Sequence, residues 1–191
     1  MPEEKSKVFK KENNLLDKFI LYLGKLEPRK NIVGLIKAFD VVKRNIENKS
    51  LVAGNSTVKN LRSNHGDFRD LTLIKNGPEF KNFEHKNLIS NLHLVIIGSR
   101  GWLDEEIFET ADSSPNRENI IFKDTISNKL RAGYYSSASV FVYPLFFEGF
   151  GFPPPLEAMA CGTPVVTSFN SSLPEIAGEP AIYISRSYQY I

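Results

Sequence analysis

Two glutamates and three basic residues are the groups whose types and spacing invite a chemical reading. Glu148 opens the run Glu-Gly-Phe-Gly-Phe-Pro-Pro-Pro-Leu-Glu-Ala-Met-Ala-Cys-Gly-Thr-Pro-Val-Val, which closes at Val166 and contains Glu157. Gly149 and Gly151, on either side of Phe150, free the backbone to turn and let a ligand approach closely. The prolines at 153–155 lead into a short Leu-Glu-Ala-Met-Ala helix, and proline suits the first position of a helix. The unpaired N–H groups of such a helix start, at the positive end of its dipole, form a site for phosphate. The carboxylates of Glu148 and Glu157 must then do something else, such as holding hydroxyls. The second stretch is Gly24-Lys25-Leu26-Glu27-Pro28-Arg29-Lys30-Asn31, where Lys25, Arg29 and Lys30 fall within six residues.

The elements that must position these groups follow from hydrophobic patterning. Residues 19–23 are a continuous apolar run ending at Gly24, the pattern of a buried strand. Asn31 is placed to cap the next helix, in which Ile32, Leu35, Ile36, Phe39 and Val42 recur at helical spacing. Residues 46–91 are rich in asparagine, mix both charges and show no sustained period; a connection this long is unusual in a compact domain. The pattern predicts an insertion, with Lys59, Arg62, Arg69, Lys75, Lys81 and Lys86 on a solvated loop. Order returns in a strand over 92–97 that ends at Gly98. Helices are expected over 103–111, 130–137 (Leu130 and Tyr134 on one face) and 173–177, and strands over 119–122, 140–143, 165–167 and 181–184. Residues 1–18 are charged and suggest a linker or a frayed helix.

Short, nearly all-apolar strands alternating with helices indicate a doubly wound α/β domain whose parallel sheet is covered on both faces. Ligands bind such sheets beyond the carboxyl ends of the strands. The loops at 24–30, 98–101 and 148–155 all lie there.

Composition narrows the class. The 191 residues are 41% apolar and carry a net charge of +2, which suits a globular domain with a sizeable core and gives no argument for nucleic acid. The single cysteine, Cys161, excludes an internal disulfide framework and fits a reducing compartment. It sits in a turn of small residues and is assigned a structural place. No apolar run is long enough to span a membrane, and the polar start does not resemble a signal peptide. His65, His85 and His93 have no metal-ligand spacing. Trp102 is expected in packing, and Phe150 at the cleft.

The Gly24 loop, the strand ending in Gly98, the run from Glu148 to Val166 and Ser171-Ser172-Leu173-Pro174-Glu175 together resemble the C-terminal half of a family-four, retaining glycosyltransferase of GT-B type, closest in wording to the mannosyltransferase branch. The resemblance covers roughly residues 19–45 and 92–185. It implies a Rossmann-like domain that binds a nucleotide diphosphate sugar, such as GDP-mannose or a UDP-sugar, with no further cofactor and usually no metal. It implies transfer of a hexose to a glycan or lipid-linked acceptor, in the cytoplasm or at the inner membrane face. Carried over by position, Lys25 and Lys30 would neutralise the diphosphate, Glu148 would lie against the donor sugar beside the backbone of Gly149, Phe150 and Gly151, and Glu157 would hold the ribose hydroxyls.

Three features depart from the family pattern. Lys25 stands where arginine is usual, keeping the charge without the bidentate fork. Eight residues separate Glu148 from Glu157 where seven are usual, with the third proline as the extra residue. The family's N-terminal acceptor domain is not expected within these 191 residues, so a separate N-terminal half or self-association is expected, together with exposed apolar surface. The alternative is a non-catalytic nucleotide-sugar-binding module or subunit. A common P-loop or dinucleotide-binding protein is disfavoured, because the first strand is followed by neither glycine fingerprint.

Overall fold

The computed structural model describes residues 1–52, 92–147 and 154–184. The predicted insertion over 46–91 lies almost wholly outside them, as does the run 148–153. Six strands form one parallel sheet: β1 (Lys18–Leu23), β2 (Leu92–Ile97), β3 (Ile120–Lys123), β4 (Val140–Tyr143), β5 (Val165–Ser168) and β6 (Ile182–Ile184). Their order is β3-β2-β1-β4-β5-β6, so the chain builds outward from β1 in one direction and then returns to build the other. The order reverses between β1 and β4, where Leu21 pairs with both Val95 and Phe141. This is the doubly wound α/β sheet expected from the sequence.

Helices cover both faces. α1 (Glu3–Glu12) precedes the sheet; α2 (Ile32–Val52) and α3 (Glu105–Asp112) connect β1 to β2 and β2 to β3; α4 (Asn128–Ser137), α5 (Pro154–Ala160) and α6 (Leu173–Ala177) make the return crossovers. Parallel crossovers are right-handed, so reversing the strand order puts α2 and α3 on one face and α4, α5 and α6 on the other. The packing agrees: α2 lies against α3, α4 against α1 and α5, and α5 against α6. Phe19, Leu21, Tyr22, Leu94, Val95, Ile96 and Phe141 are inaccessible to solvent. The near-unbroken apolar runs of β1 and β2 are thus explained by burial on both faces.

Of the two expectations for residues 1–18, a linker or a frayed helix, the structure shows a helix, and it is docked on the domain. Phe9 of α1 packs edge-on against Tyr134 of α4, ring centroids 5.2 Å apart. A side chain at residue 133 would strike the Phe9 ring at 2.3 Å, so Gly133 is what admits the docked helix. Asn13 completes the seam, accepting at its carbonyl from Lys123 Nζ and at its side chain from the Tyr134 hydroxyl. In α4 the expected apolar face is also shifted. Tyr134 and Tyr135 are buried, whereas Leu130 faces solvent.

Candidate functional site

The loops at the carboxyl ends of β1 and β2 are built as one unit. Gly24 N–H donates to the Ile97 carbonyl (2.9 Å) and Leu26 N–H to that of Ser99 (3.0 Å), which extends the β1–β2 pairing beyond the strands. A Cβ on residue 98 would lie 1.9 Å from the Gly24 carbonyl oxygen. Gly98 is therefore required by the close passage of the two loops, a structural reason the sequence alone could not separate from ligand contact.

Beside this unit lies a cleft of about 170 Å³, lined by Leu23, Gly24 and Lys25 after β1, by Ile97, Gly98 and Ser99 after β2, by Thr125 and Ile126 after β3, and by Arg131 of α4. It opens where ligands enter a parallel α/β sheet. Lys25 is more than half exposed, and its ammonium lies 3.4 Å from the carboxylate of Glu27. Arg29 pairs with the same carboxylate at 2.8 Å. Glu27 is buried, so two cations share one carboxylate beneath the loop.

Lys30 is placed differently. It closes a single 3₁₀ turn (Pro28–Lys30) and is only 5% exposed. Its ammonium donates to the Tyr143 hydroxyl (3.1 Å) and lies 5.3 Å from that ring's centroid. Tyr143 ends β4 and stacks on Tyr22 and Phe141. A lysine with an aromatic wall and a hydroxyl partner is thus fixed at the switch point between β1 and β4. Asn31 follows with left-handed backbone (φ 54°), and its carbonyl accepts the Leu35 N–H of α2. The helix start is thereby tied to the cationic loop.

Glu157 lies in the first turn of α5, where a carboxylate is favoured by the helix dipole. Arg131 Nη1 donates to both of its oxygens, at 3.0 Å to Oε1 and 3.3 Å to Oε2, and the Tyr135 hydroxyl donates to Oε2 at 3.0 Å. Arg131 and Tyr135 stand one turn apart on α4, so both reach the same point on the neighbouring helix. Burial and the adjacent Glu157 carboxylate push the Tyr135 phenol well above its ordinary range, so it is always a protonated donor. Sequence reasoning missed both residues, although their i, i+4 spacing was the available signal. It also missed Asn170, after β5, whose amide donates to the carbonyls of Leu145 (3.0 Å) and Phe146 (3.2 Å). Phe146 N–H in turn donates to the Arg29 carbonyl (2.8 Å). The chain leading to residue 148 is thus held from both sides. Glu148, Gly149, Phe150 and Gly151 themselves lie outside the described residues.

The structure therefore brings Gly24 and Lys25 to one cleft; Glu157 and Lys30 are not among the residues that line it, Glu157 being hydrogen-bonded to the lining residue Arg131 and Lys30 lying at the switch point between β1 and β4. Apolar side chains are exposed in the loops after β2 and β4. Trp102, expected in packing, is 56% exposed after β2, beside Leu103 at 67%; Phe147 is exposed after β4. No helix among the described residues is long and apolar enough to cross a membrane.

Known proteins share this sequence and fold. O-antigen chain mannosyltransferase B of Escherichia coli is 29% identical over 164 residues, covering 86% of this chain and 32% of its own length. The chain thus spans about a third of that relative. Among solved structures, the C-terminal domain of the group 1 glycosyl transferase LpcC from Francisella tularensis superposes with a TM-score of 0.63 at 17% identity, covering 97% of this chain and 76% of that one. Alr3699/HepE of Anabaena, solved in complex with UDP and glucose, gives 0.60 at 12% identity over 98% of this chain and 40% of its own. The family described as glycosyl transferases group 1 matches residues 3–85 and 72–182. The chain belongs to the group 1 glycosyl transferases, as the C-terminal domain of a GT-B fold.

Proposed function

We propose that this domain binds a nucleotide diphosphate sugar and, joined to an acceptor-binding half, transfers a hexose to an acceptor hydroxyl with retention at the anomeric carbon. The observation that carries this reading is the cleft at the strand ends, lined by the cationic Lys25 and by Arg131, which is hydrogen-bonded to Glu157. In this reading the glycosidic bond to the diphosphate breaks, the acceptor oxygen bonds to the anomeric carbon, and the nucleoside diphosphate leaves. Charge develops on that leaving group, and cations held in place before the reaction stabilise it without reorganising. Lys25 and Lys30 supply those cations. Glu157 accepts hydrogen bonds from the ribose hydroxyls, and charged acceptors make the stronger bonds. Glu148, with the backbone of Gly149, Phe150 and Gly151, faces the donor sugar.

The mannosyltransferase relative supports mannose as the sugar and a growing surface polysaccharide as the acceptor. The UDP-bound fold relative supports a nucleotide in this cleft. The reaction would take place in the cytoplasm, at the inner membrane face. In this reading the domain supplies one wall of the reaction cleft, and the exposed Trp102, Leu103 and Phe147, in the loops after β2 and β4, are assigned to contact with the acceptor half. The test is transfer of labelled mannose from GDP-mannose to a lipid-linked glycan by the 191-residue chain, alone and with a separately produced N-terminal half of a mannosyltransferase relative. Activity only in the mixture is expected. No activity with GDP- or UDP-sugars in the mixture, despite demonstrated association of the halves, would overturn the catalytic reading.

A further inference from the structure

We infer that α1 braces one wall of the cleft, and that Phe9, seated on Gly133, is the positioning residue through which it holds Thr125, Ile126 and Arg131 in place for a ligand. The inference rests on the donor-site reading above only for the identity of that ligand.

The wall is built from elements with little support of their own. Thr125 and Ile126 follow β3, an edge strand paired only with β2, and Arg131 lies in the first half of the ten-residue helix α4. All three line the cleft. Residues 6–13 grip this segment on both flanks. Before the lining residues, Lys123 Nζ donates to the Asn13 carbonyl (3.1 Å). After them, the Tyr134 hydroxyl donates to Asn13 Oδ1 (3.3 Å), Phe9 meets the Tyr134 ring edge-on, and the Ser6 hydroxyl donates to that of Ser137 (3.2 Å). The brace is itself anchored. The Asn13 amide donates to the Phe9 carbonyl (2.9 Å), Asn14 takes a left-handed backbone (φ 54°), and Leu15 N–H returns to the Lys10 carbonyl (2.8 Å). These bonds fix the angle between α1 and β1.

What α1 contributes is position more than core. None of its residues is fully buried, so little of the sheet depends on it. Gly133 is the sharper sign. Glycine inside a helix is less stable than alanine, yet residue 133 lies within α4. A Cβ there would come within 2.3 Å of the Phe9 ring, which would have to leave its place against Tyr134. The weak point of α4 is therefore the condition for seating α1. Docked elements of this kind open locally more readily than the core. An undocked α1 leaves the wall unheld, and apparent affinity falls with the fraction of molecules competent to bind.

The experiment combines calorimetric titration with GDP, UDP and ADP and hydrogen exchange read by mass spectrometry, on the 191-residue chain and its F9A, F9L, G133A, F9A/G133A and V8A variants. F9A should weaken the nucleotide that wild type binds by about fivefold and speed exchange over residues 123–137, with β1 and β5 unchanged. F9L should restore part of both, and V8A, at an exposed position of α1, should match wild type. G133A should act like F9A although alanine is the better helix former, and should add nothing in the F9A background, where the clash is gone. Saturating nucleotide should slow exchange in α1, which does not line the cleft, because coupling between two sites is reciprocal. F9L and G133A decide the matter if F9A does not fold. Unchanged affinity in folded F9A and G133A chains, faster exchange spread equally over the sheet, or no protection of α1 by nucleotide would overturn the brace and leave the donor site standing. A wild-type chain that binds none of the three nucleotides would overturn the donor site, and the brace would then stand or fall on the exchange of residues 123–137 alone.

Discussion

Lys30 Nζ donates to the Tyr143 hydroxyl across 3.1 Å, a bond that joins the loop after β1 to the last residue of β4 over the reversal in strand order. Both residues are buried. Tyr143→Phe keeps the ring and removes one acceptor from a buried ammonium. It should lower stability by about 1.5–3 kcal/mol, the range for a hydrogen bond to a charged group, measured by urea unfolding. An unchanged midpoint would mean that the hydroxyl contributes nothing.

Asn170 ties the loop after β5 to the chain approaching Glu148. Its amide serves the carbonyls of Leu145 and Phe146, just beyond the end of β4. Asn170→Ala should cost about 1 kcal/mol in unfolding free energy. It should also make residues 145–147 exchange amide hydrogens faster, with little change in β1 or β2. Equal loss of protection across the sheet would show instead that Asn170 supports the fold globally.

Much of this fold was legible in the sequence because burial on both faces leaves an unmistakable apolar run, as at residues 19–23 and 92–97. The Glu148–Val166 run carried its meaning in residue order, and the structure places Glu157 in the first turn of α5 as its prolines suggested. Other features depend on contacts between segments far apart in the chain. The charged N-terminus reads as a linker or a frayed helix until Phe9 is seen against Tyr134, a contact that Gly133 permits from 124 residues away. Arg131 looks like a solvated helix charge until α5 brings Glu157 beside it. Trp102 was expected in packing because large aromatics are usually buried, yet in the turn at Gly101 and Leu103, the latter with φ 49°, it is more than half exposed.

Acid stability should report the Arg100–Asp104 pair. Arg100 makes two hydrogen bonds to the buried Asp104 carboxylate, at 2.9 and 2.6 Å, and these hold its pKa below the ordinary aspartate range. A depressed folded pKa contributes stability that is present above the unfolded value, about 3.9, and is lost as pH falls through the folded value. Asp104→Asn should therefore be less stable than wild type at neutral pH. The gap should narrow as pH falls below about 4. A gap that stays constant from pH 7 to pH 2.5 in thermal melts would contradict this assignment.

The most direct test of the donor site is titration of the 191-residue chain with GDP, UDP and ADP, comparing wild type with Lys30→Ala and with Lys37→Ala, an exposed lysine on α2. At least one nucleoside diphosphate should bind in the micromolar to millimolar range. Lys30→Ala should weaken it by about tenfold or more, equivalent to roughly 1.4 kcal/mol, while Lys37→Ala leaves it unchanged. Absence of binding by all three at millimolar concentration, or equal effects of the two substitutions, would contradict the site proposed for this chain.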